Sequence, residues 1–375
     1  MLRRQNAQIA ASYERRARAE AIVYSAAGAA ERVRARVIAR RAGRPAPPRP
    51  RVLWLGADEN QDNSGWLAAL RRHCDVVLAV DESGRYGQVF SATLFDREVI
   101  ARNSATLLTS LHRANEQSPV DLVLGQMWSN YIGLEPLRAA QQLGAVTANV
   151  AMDDRLPEHW GSHGGVRLGA VGLCGATDAV FTTDPDSLLR YTVEGCPAFF
   201  FPLASDPELF RPASEAEKRY DISFVGGRYG IRAEIVDALE RGGINVAAFG
   251  PGWANGPIPA DRAAEIFGAS RIVLGIGTIG HARDVYTIKL RDFDGPMSGA
   301  LYMTHRNPDL LTLFEEGKEI ECYASIKECV EKVRHYLGRP AERIAIAQAG
   351  LQRARRDHTW DRRITEMLNT LGLTP

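Results

Sequence analysis

Tyr220-Asp-Ile-Ser-Phe-Val-Gly226-Gly-Arg-Tyr-Gly-Ile-Arg232 is the stretch on which the architecture turns. A short apolar run rich in strand formers ends in glycines. Helix formers follow at once, from 231 to 241. A strand that passes through a glycine turn into a helix opens a parallel α/β domain. This one opens past the middle of a 375-residue chain, so a first domain has room to precede it.

Outward from that stretch the alternation continues on both sides. Upstream, 51–56, 75–80, 121–125, 146–152, 179–183 and 198–203 read as strands, and 65–73, 101–116, 134–143 and 185–194 as helices. Downstream, 245–249, 271–275, 300–304 and 319–323 read as strands. Helical patterns fall at 260–267, 287–298, 310–314, 325–337, 341–356 and 360–371. Apolar strands alternating with helices indicate parallel sheets covered on both faces. The join is 204–213, with Pro207 and Pro212. The expected fold class is α/β: two Rossmann-like domains, 51–205 and 206–360, facing an interdomain cleft. A helical arm and linker (1–50) precede them, and a final helix (361–375) crosses back to the first domain. Ligands of such sheets sit at the carboxyl ends of the strands.

Composition narrows the classes. Apolar residues make up 45% and charged residues 24%, an ordinary globular balance, and a net charge of +1 offers no attraction for nucleic acid. The charge is uneven: residues 1–50 hold twelve Arg, no Lys and three Glu, a net of +9, leaving about −8 for the rest. Ala and Arg favour helix over 17–41, and Gly43 to Pro50 forms a linker. The arm reads as a solvated helix, as a surface helix that touches anionic lipid or a partner, or as an organelle-targeting peptide. Five cysteines without CxxC spacing argue against a zinc site or disulfide framework and for a cytoplasmic setting, with peripheral contact at the inner membrane face as the alternative. No apolar run reaches the roughly 18–20 residues of a membrane span.

Three segments carry candidate chemistry. At Gly226, Gly227, Arg228 and Arg232, a glycine turn meets a helix N-terminus, whose free N–H groups and partial positive charge suit a phosphate. The alternative is a tight turn with two solvated arginines. In 287–299, Lys289 and Arg291 stand beside Asp292 and Asp294. A carboxylate there can accept from ribose hydroxyls and a lysine can neutralise a diphosphate, or the group is a surface ion-pair cluster worth little. At the end of the strand at 146–152, Asp153 and Asp154 are candidate general bases, with His159 and His163 next; capping or acceptor binding is the other reading. Gly275-Ile-Gly277-Thr-Ile-Gly280 matches GxGxxG but follows an internal strand, which argues against a dinucleotide and for a loop lining the ligand cleft, with His281 near the diphosphate. The loop 56–65 reads equally as a ligand-facing segment or an ordinary loop with a helix cap.

The run Lys289-x-Arg291-x-Phe293-Asp294-x-Pro296-x-x-Gly299 resembles the signature of the spore-protein CgeB-like glycosyltransferases, within the group 1 glycosyltransferases of GT-B fold. The resemblance extends through Asp309-Leu310, Phe314-x-x-Gly317-Lys318-Glu319, Tyr323, Ala347-x-x-Gly350, His358-Thr359-Trp360 and Arg362-Arg363. Asp206-Pro-Glu-Leu-Phe210-Arg-Pro212 is similar to the family's interdomain crossing, and the match spans 178–368. It implies transfer of a sugar from a nucleotide-diphosphate sugar to a glycan, surface polysaccharide or protein acceptor, without a metal or other cofactor. Arg228 and Lys289 would stabilise the diphosphate and Asp294 would hold the ribose. Gly226, Gly227, Arg232, Gly277, His281, Arg291 and Gly299 would complete the donor site. The family usually has Glu at position 294, and the wider group often has a second acid eight positions earlier, where this chain has Tyr286. The alternatives sharing this fold are a nucleotide-sugar epimerase, a hydrolase-like relative and a non-catalytic sugar-binding protein.

Overall fold

A computed structural model describes residues 1–374. The chain divides into two compact units: residues 1–62, 67–202 and 364 onward form the first, and 63–66 with 203–363 the second.

The first unit opens with helices α1 (Leu2–Ala19) and α2 (Ala26–Arg41). Its sheet holds β1 (Arg51–Leu55), β2 (Asp75–Leu78), β3 (Leu122–Gly125) and β4 (Val146–Ala151). A hairpin of β5 (Ser162–His163) and β6 (Val166–Arg167) interrupts the run before β7 (Ala179–Thr182) and β8 (Ala198–Phe200). Helices α3 (Glu59–Asp62), α4 (Trp66–His73), α5 (Arg97–Gln117), α6 (Glu135–Gln142) and α7 (Ser187–Val193) connect the strands. The sheet is parallel, in the order β2-β1-β3-β4-β7-β8. Every residue of β3 and β4 is buried, as expected of strands covered on both faces. One layer packs Leu53, Leu55 and Val123 against Leu107, Leu111 and Leu137 of α5 and α6. The other packs Val180 and Ala198 near Trp160, Tyr191 and Tyr13.

The amino-terminal arm is helical as expected, but the helix over 17–41 is broken and the solvated reading does not hold. The helix breaks between Ala19 and Ala26, where Ala21 takes φ 52° and the Ser25 side chain accepts from the Gly28 N–H at 3.0 Å, capping α2. Both helices are docked on the first unit. Tyr13 and Ala17, four apart on α1, are buried, and the Tyr13 ring meets Trp160 edge-on at 5.3 Å. Ala29, Val33 and Val37 make the corresponding stripe on α2. Arg40 and Arg41 pair with Asp178 and Asp121 at 2.7 and 2.8 Å. Among the described residues no helix is long and apolar enough to cross a membrane.

The second unit holds β9 (Tyr220–Val225), β10 (Val246–Phe249), β11 (Ser270–Leu274), β12 (Leu301–His305) and β13 (Glu321–Tyr323). They form a parallel sheet in the order β10-β9-β11-β12-β13. Helices α8 (Ile231–Arg241), α9 (Ala260–Gly268), α10 (Arg291–Met297), α11 (Ile326–Leu337) and α12 (Pro340–Asp357) cover it, and α13 (Trp360–Thr370) ends the chain. Ile222, Phe224, Ile272, Leu274, Leu301 and Met303 form the centre of its core with Ile235 and Leu239 of α8. Strand order reverses between β9 and β11. In doubly wound sheets that switch point, at the carboxyl ends, leaves a crevice because successive helices depart to opposite faces. By that rule the crevice of this sheet falls between Val225-Gly226 and Leu274-Gly275.

Candidate functional site

The site follows from how β9 ends. Gly226 has φ 155° and its carbonyl accepts from the Trp253 indole at 2.8 Å. Gly250, at φ 127°, closes on it: a Cβ there would stand 2.5 Å from the Gly226 oxygen. Gly230 is the N-cap of α8, and no side chain caps that helix. Its first-turn N–H groups therefore keep the partial positive charge of a helix start. A Cβ on Gly230 would lie 3.1 Å from the Gly280 carbonyl, so the turn after β9 and the loop after β11 meet.

Two arginines converge on this turn. Arg291, at the start of α10, donates to the Val225 carbonyl at 2.9 Å and to the Ile276 carbonyl at 3.5 Å. One guanidinium thus spans the ends of the two switch-point strands. Arg232, in the first turn of α8 and 4% exposed, donates to the Gly227 carbonyl at 3.0 Å. A Cβ on Gly226 would meet Arg291 Nη1 at 3.0 Å and Arg232 Nη1 at 3.4 Å, so both guanidiniums flank the same backbone point. Both lie over the Phe224 ring, at 5.0 and 5.8 Å. Two cations held this near each other repel, and an anion between or above them is favoured.

Two buried carboxylates of α10 adjoin this arginine. Asp292 accepts from the Tyr302 hydroxyl at 2.5 Å and from the Lys289 N–H at 2.7 Å, and burial raises its pKa. Asp294 is 3% exposed; burial holds it well above the usual carboxylate range, while the Ser205 hydroxyl and Arg291 act the other way. Arg291 favours the charged form of both carboxylates while burial opposes it.

The remaining expected residues fall in several places. Arg228 sits over the Trp253 ring at 5.3 Å and 3.8 Å from Asp237. The cations that flank Gly226 are Arg232 and Arg291. Lys289 is half-buried just before α10. The Gly277 N–H donates to His305 Nδ1 at 3.3 Å, and exposed His281 lies 5.8 Å from the Tyr229 ring. Gly299 serves the fold: at φ 68° it turns the chain after α10, and a Cβ would strike Pro212 at 2.6 Å. Asp154, expected at the strand rim, is 1% exposed and accepts from Thr182 at 2.7 Å and Tyr191 at 2.9 Å. Burial raises its pKa, and it serves as an internal hydrogen-bond hub rather than a rim base. Asp153 stays half-buried at the end of β4 with φ 61°, a conformation Asp tolerates better than most residues. His159 is half-buried and His163 is exposed on the hairpin.

After Gly275–Gly280 the chain forms no helix. Thr278 bridges Tyr286, and Thr287 N–H donates to the Gly277 carbonyl at 2.9 Å, which closes a hairpin-like loop. A dinucleotide fingerprint needs a helix start at that place, so the glycines here shape a loop beside the crevice. Tyr286, where the resembling family has an acid, lies 5.3 Å from the His305 ring, which in turn lies 4.6 Å from Tyr323. Burial lowers His305 to about 4, so it is neutral near pH 7.

Two groups escaped the sequence reading. His305 is the polar last residue of an apolar strand, which was the available signal. Asp62, in the segment expected as the loop 56–65, ends α3 and is 1% exposed, accepting from Trp54 Nε1 at 3.0 Å and Tyr86 Oη at 2.5 Å. Burial raises it to about 6. Nothing in the spacing of that polar loop singles out one carboxylate. Among the described residues no cluster of three or more His, Cys, Asp or Glu could hold a metal ion.

Residues 232–369, from Arg232 through α13, match the model of a family described as glycosyl transferase-like. Solved structures resemble the chain over most of its length. Sucrose-phosphate synthase from Thermosynechococcus elongatus superposes with TM-score 0.58 at 12% identity, covering 86% of this chain and 98% of that one. HepE of Anabaena, in complex with UDP-glucose, gives TM-score 0.60 at 14% identity, covering 85% and 99%. The fold is GT-B. A glycosyltransferase from Rickettsia africae shares it, with TM-score 0.57, 9% identity and coverage of 87% and 98%. No curated protein matches the chain by sequence.

Proposed function

We propose that the chain is a glycosyltransferase that takes a hexose from a nucleoside-diphosphate donor held by its second unit. The observation that carries this reading is Arg291 spanning the switch point with Arg232 beside it at the start of α8. A diphosphate seated there would meet two guanidiniums and the amides of a helix start. As the anomeric carbon–oxygen bond breaks, its electron pair passes to the diphosphate. Fixed cations and oriented N–H groups stabilise that charge, each worth about 3–4 kcal/mol by analogy with other anion-stabilising donors. The charge is met by side chains, so the reading needs no metal. Lys289 would add a third cation. Asp294, whose Oδ1 is buried without a hydrogen-bond partner, would serve the ribose. The acceptor is a glycan, polysaccharide or protein hydroxyl, and Asp153 is the remaining half-exposed carboxylate at the β4 end to receive its proton. The narrower kinship, to the spore-protein CgeB-like enzymes, rests on the 289–299 motif and the order of the motifs after it.

UDP is the first probe, since the HepE structure of the same fold holds UDP-glucose. Calorimetric titration with UDP, GDP, ADP and dTDP should find one that binds, and Arg291→Ala should weaken it by at least tenfold. Free nucleoside diphosphate should appear from the matching nucleotide sugar when an acceptor is present, with or without chelator. Binding without any release would instead favour a non-catalytic sugar-binding protein.

A further inference from the structure

The first unit holds a groove of about 890 Å³ that the donor chemistry leaves unused. It runs beside the amino-terminal half of α5, the start of α6 and the β5–β6 hairpin. Its lining is mainly apolar: Ile100, Leu108, Leu134 and Val166 contribute, and Val166 is 37% exposed at the hairpin edge. Hairpin and α5 approach further at Phe95 and His163, whose rings lie 5.2 Å apart.

The groove is not electrically neutral. Arg97, Arg138 and Arg167 border it, against one carboxylate, Glu135. Arg167 is partnered, 3.2 Å from Glu194. Arg97 and Arg138 are exposed and form no ion pair among the described residues. Through Tyr13 the Arg167 lip adjoins α1, whose solvent side carries exposed Arg4 and Arg15. Apolar walls beside guanidiniums that no carboxylate neutralises fit a ligand that is itself divided, with a hydrocarbon chain and an anionic head.

We propose that this groove binds a membrane lipid with a phosphate head group, its chain against α5 and the hairpin and its head at Arg97 and Arg138. The site needs no nucleotide, so it stands or falls apart from the transferase reading; if that reading holds, the lipid belongs to the acceptor side.

Dodecyl phosphate, used as a soluble monomer, is the probe, and binding is measured by calorimetry on the full chain without nucleotide. One-to-one binding is expected, weakened on the order of tenfold or more in Arg97→Ala/Arg138→Ala. Ala101→Trp, which fills the groove from an exposed position, should abolish it. The double arginine variant changes only exposed side chains, so an unchanged melting temperature keeps it informative if the tryptophan variant folds poorly. UDP affinity should be the same in all three proteins. Vesicles of phosphatidylcholine with phosphatidic acid should retain the protein, and vesicles of phosphatidylcholine alone should not. Equal affinity for dodecyl maltoside, full competition by inorganic phosphate, undiminished binding in both variants, or no binding at all would each overturn the proposal.

Discussion

Arg291 holds the ends of β9 and β11 together while keeping a guanidinium in the crevice between them. Lysine keeps the charge but cannot reach both carbonyls as a planar fork. Arg291→Lys should therefore retain part of the nucleotide affinity and lose melting temperature, whereas Arg291→Ala loses both; titration calorimetry and thermal melts separate the two. Asp294 makes a finer distinction. If it serves ribose, Asp294→Asn weakens a nucleoside diphosphate more than inorganic diphosphate; equal weakening of both would remove that role. Asp62 gives a pH test. Its folded pKa, about 6, lies above the ordinary carboxylate value, so its contribution is fully present below that ordinary value. It is lost as pH rises through about 6. Asp62→Asn, which can still accept from Trp54 and Tyr86, should flatten the fall in stability between about pH 4 and 7, by at most about 3 kcal/mol. Residue types at the site were legible because charge and glycine stand out in an apolar pattern. Their facing was not: Arg228 and Arg232 are four apart, yet one lies over Trp253 and the other at the crevice. Asp153 and Asp154 are adjacent, yet only the second is sealed inside.

At the scale of elements, the turn after β9 depends on glycines that accept no side chain. Gly250→Ala would force a Cβ into the Gly226 carbonyl from a positive φ and should destabilise by about 1–3 kcal/mol. Denaturant melts would register this, and nucleotide affinity should fall with it because the same turn shapes the anion site. On the other unit, Tyr13→Ala should cost about 3 kcal/mol through lost packing against Trp160, and Tyr13→Phe about 1 kcal/mol through the lost bond to Glu194. Near-wild-type stability of Tyr13→Ala would show that α1 is not docked in solution. Strands such as 220–225 and 270–274 were legible within a residue or two, since buried parallel strands read as unbroken apolar runs. The arm's helicity was legible in its composition but its docking was not, because docking relies on a few small residues at helical spacing. The hairpin at 162–167 was missed because two-residue strands have no periodicity to detect.

The whole molecule has two units with separate cores, and the account gives the donor to one of them. Both sheets follow the doubly wound plan, which the alternation of elements made plain from sequence. The strand reversal that locates the crevice was not, because pairing order is a long-range property. Hydrogen exchange with and without UDP should show protection concentrated at 225–232 and 275–294, with the α5 region unchanged. Protection confined to the first unit would place the nucleotide elsewhere.

The most direct test is calorimetric titration of the nucleoside diphosphates into the wild-type chain and Arg232→Ala/Arg291→Ala. The account predicts that at least one binds the wild type and that the double variant loses it by a hundredfold or more, on the order of one decade per charged contact. Absence of binding by UDP, GDP, ADP and dTDP, or unchanged affinity in the folded double variant, would contradict it.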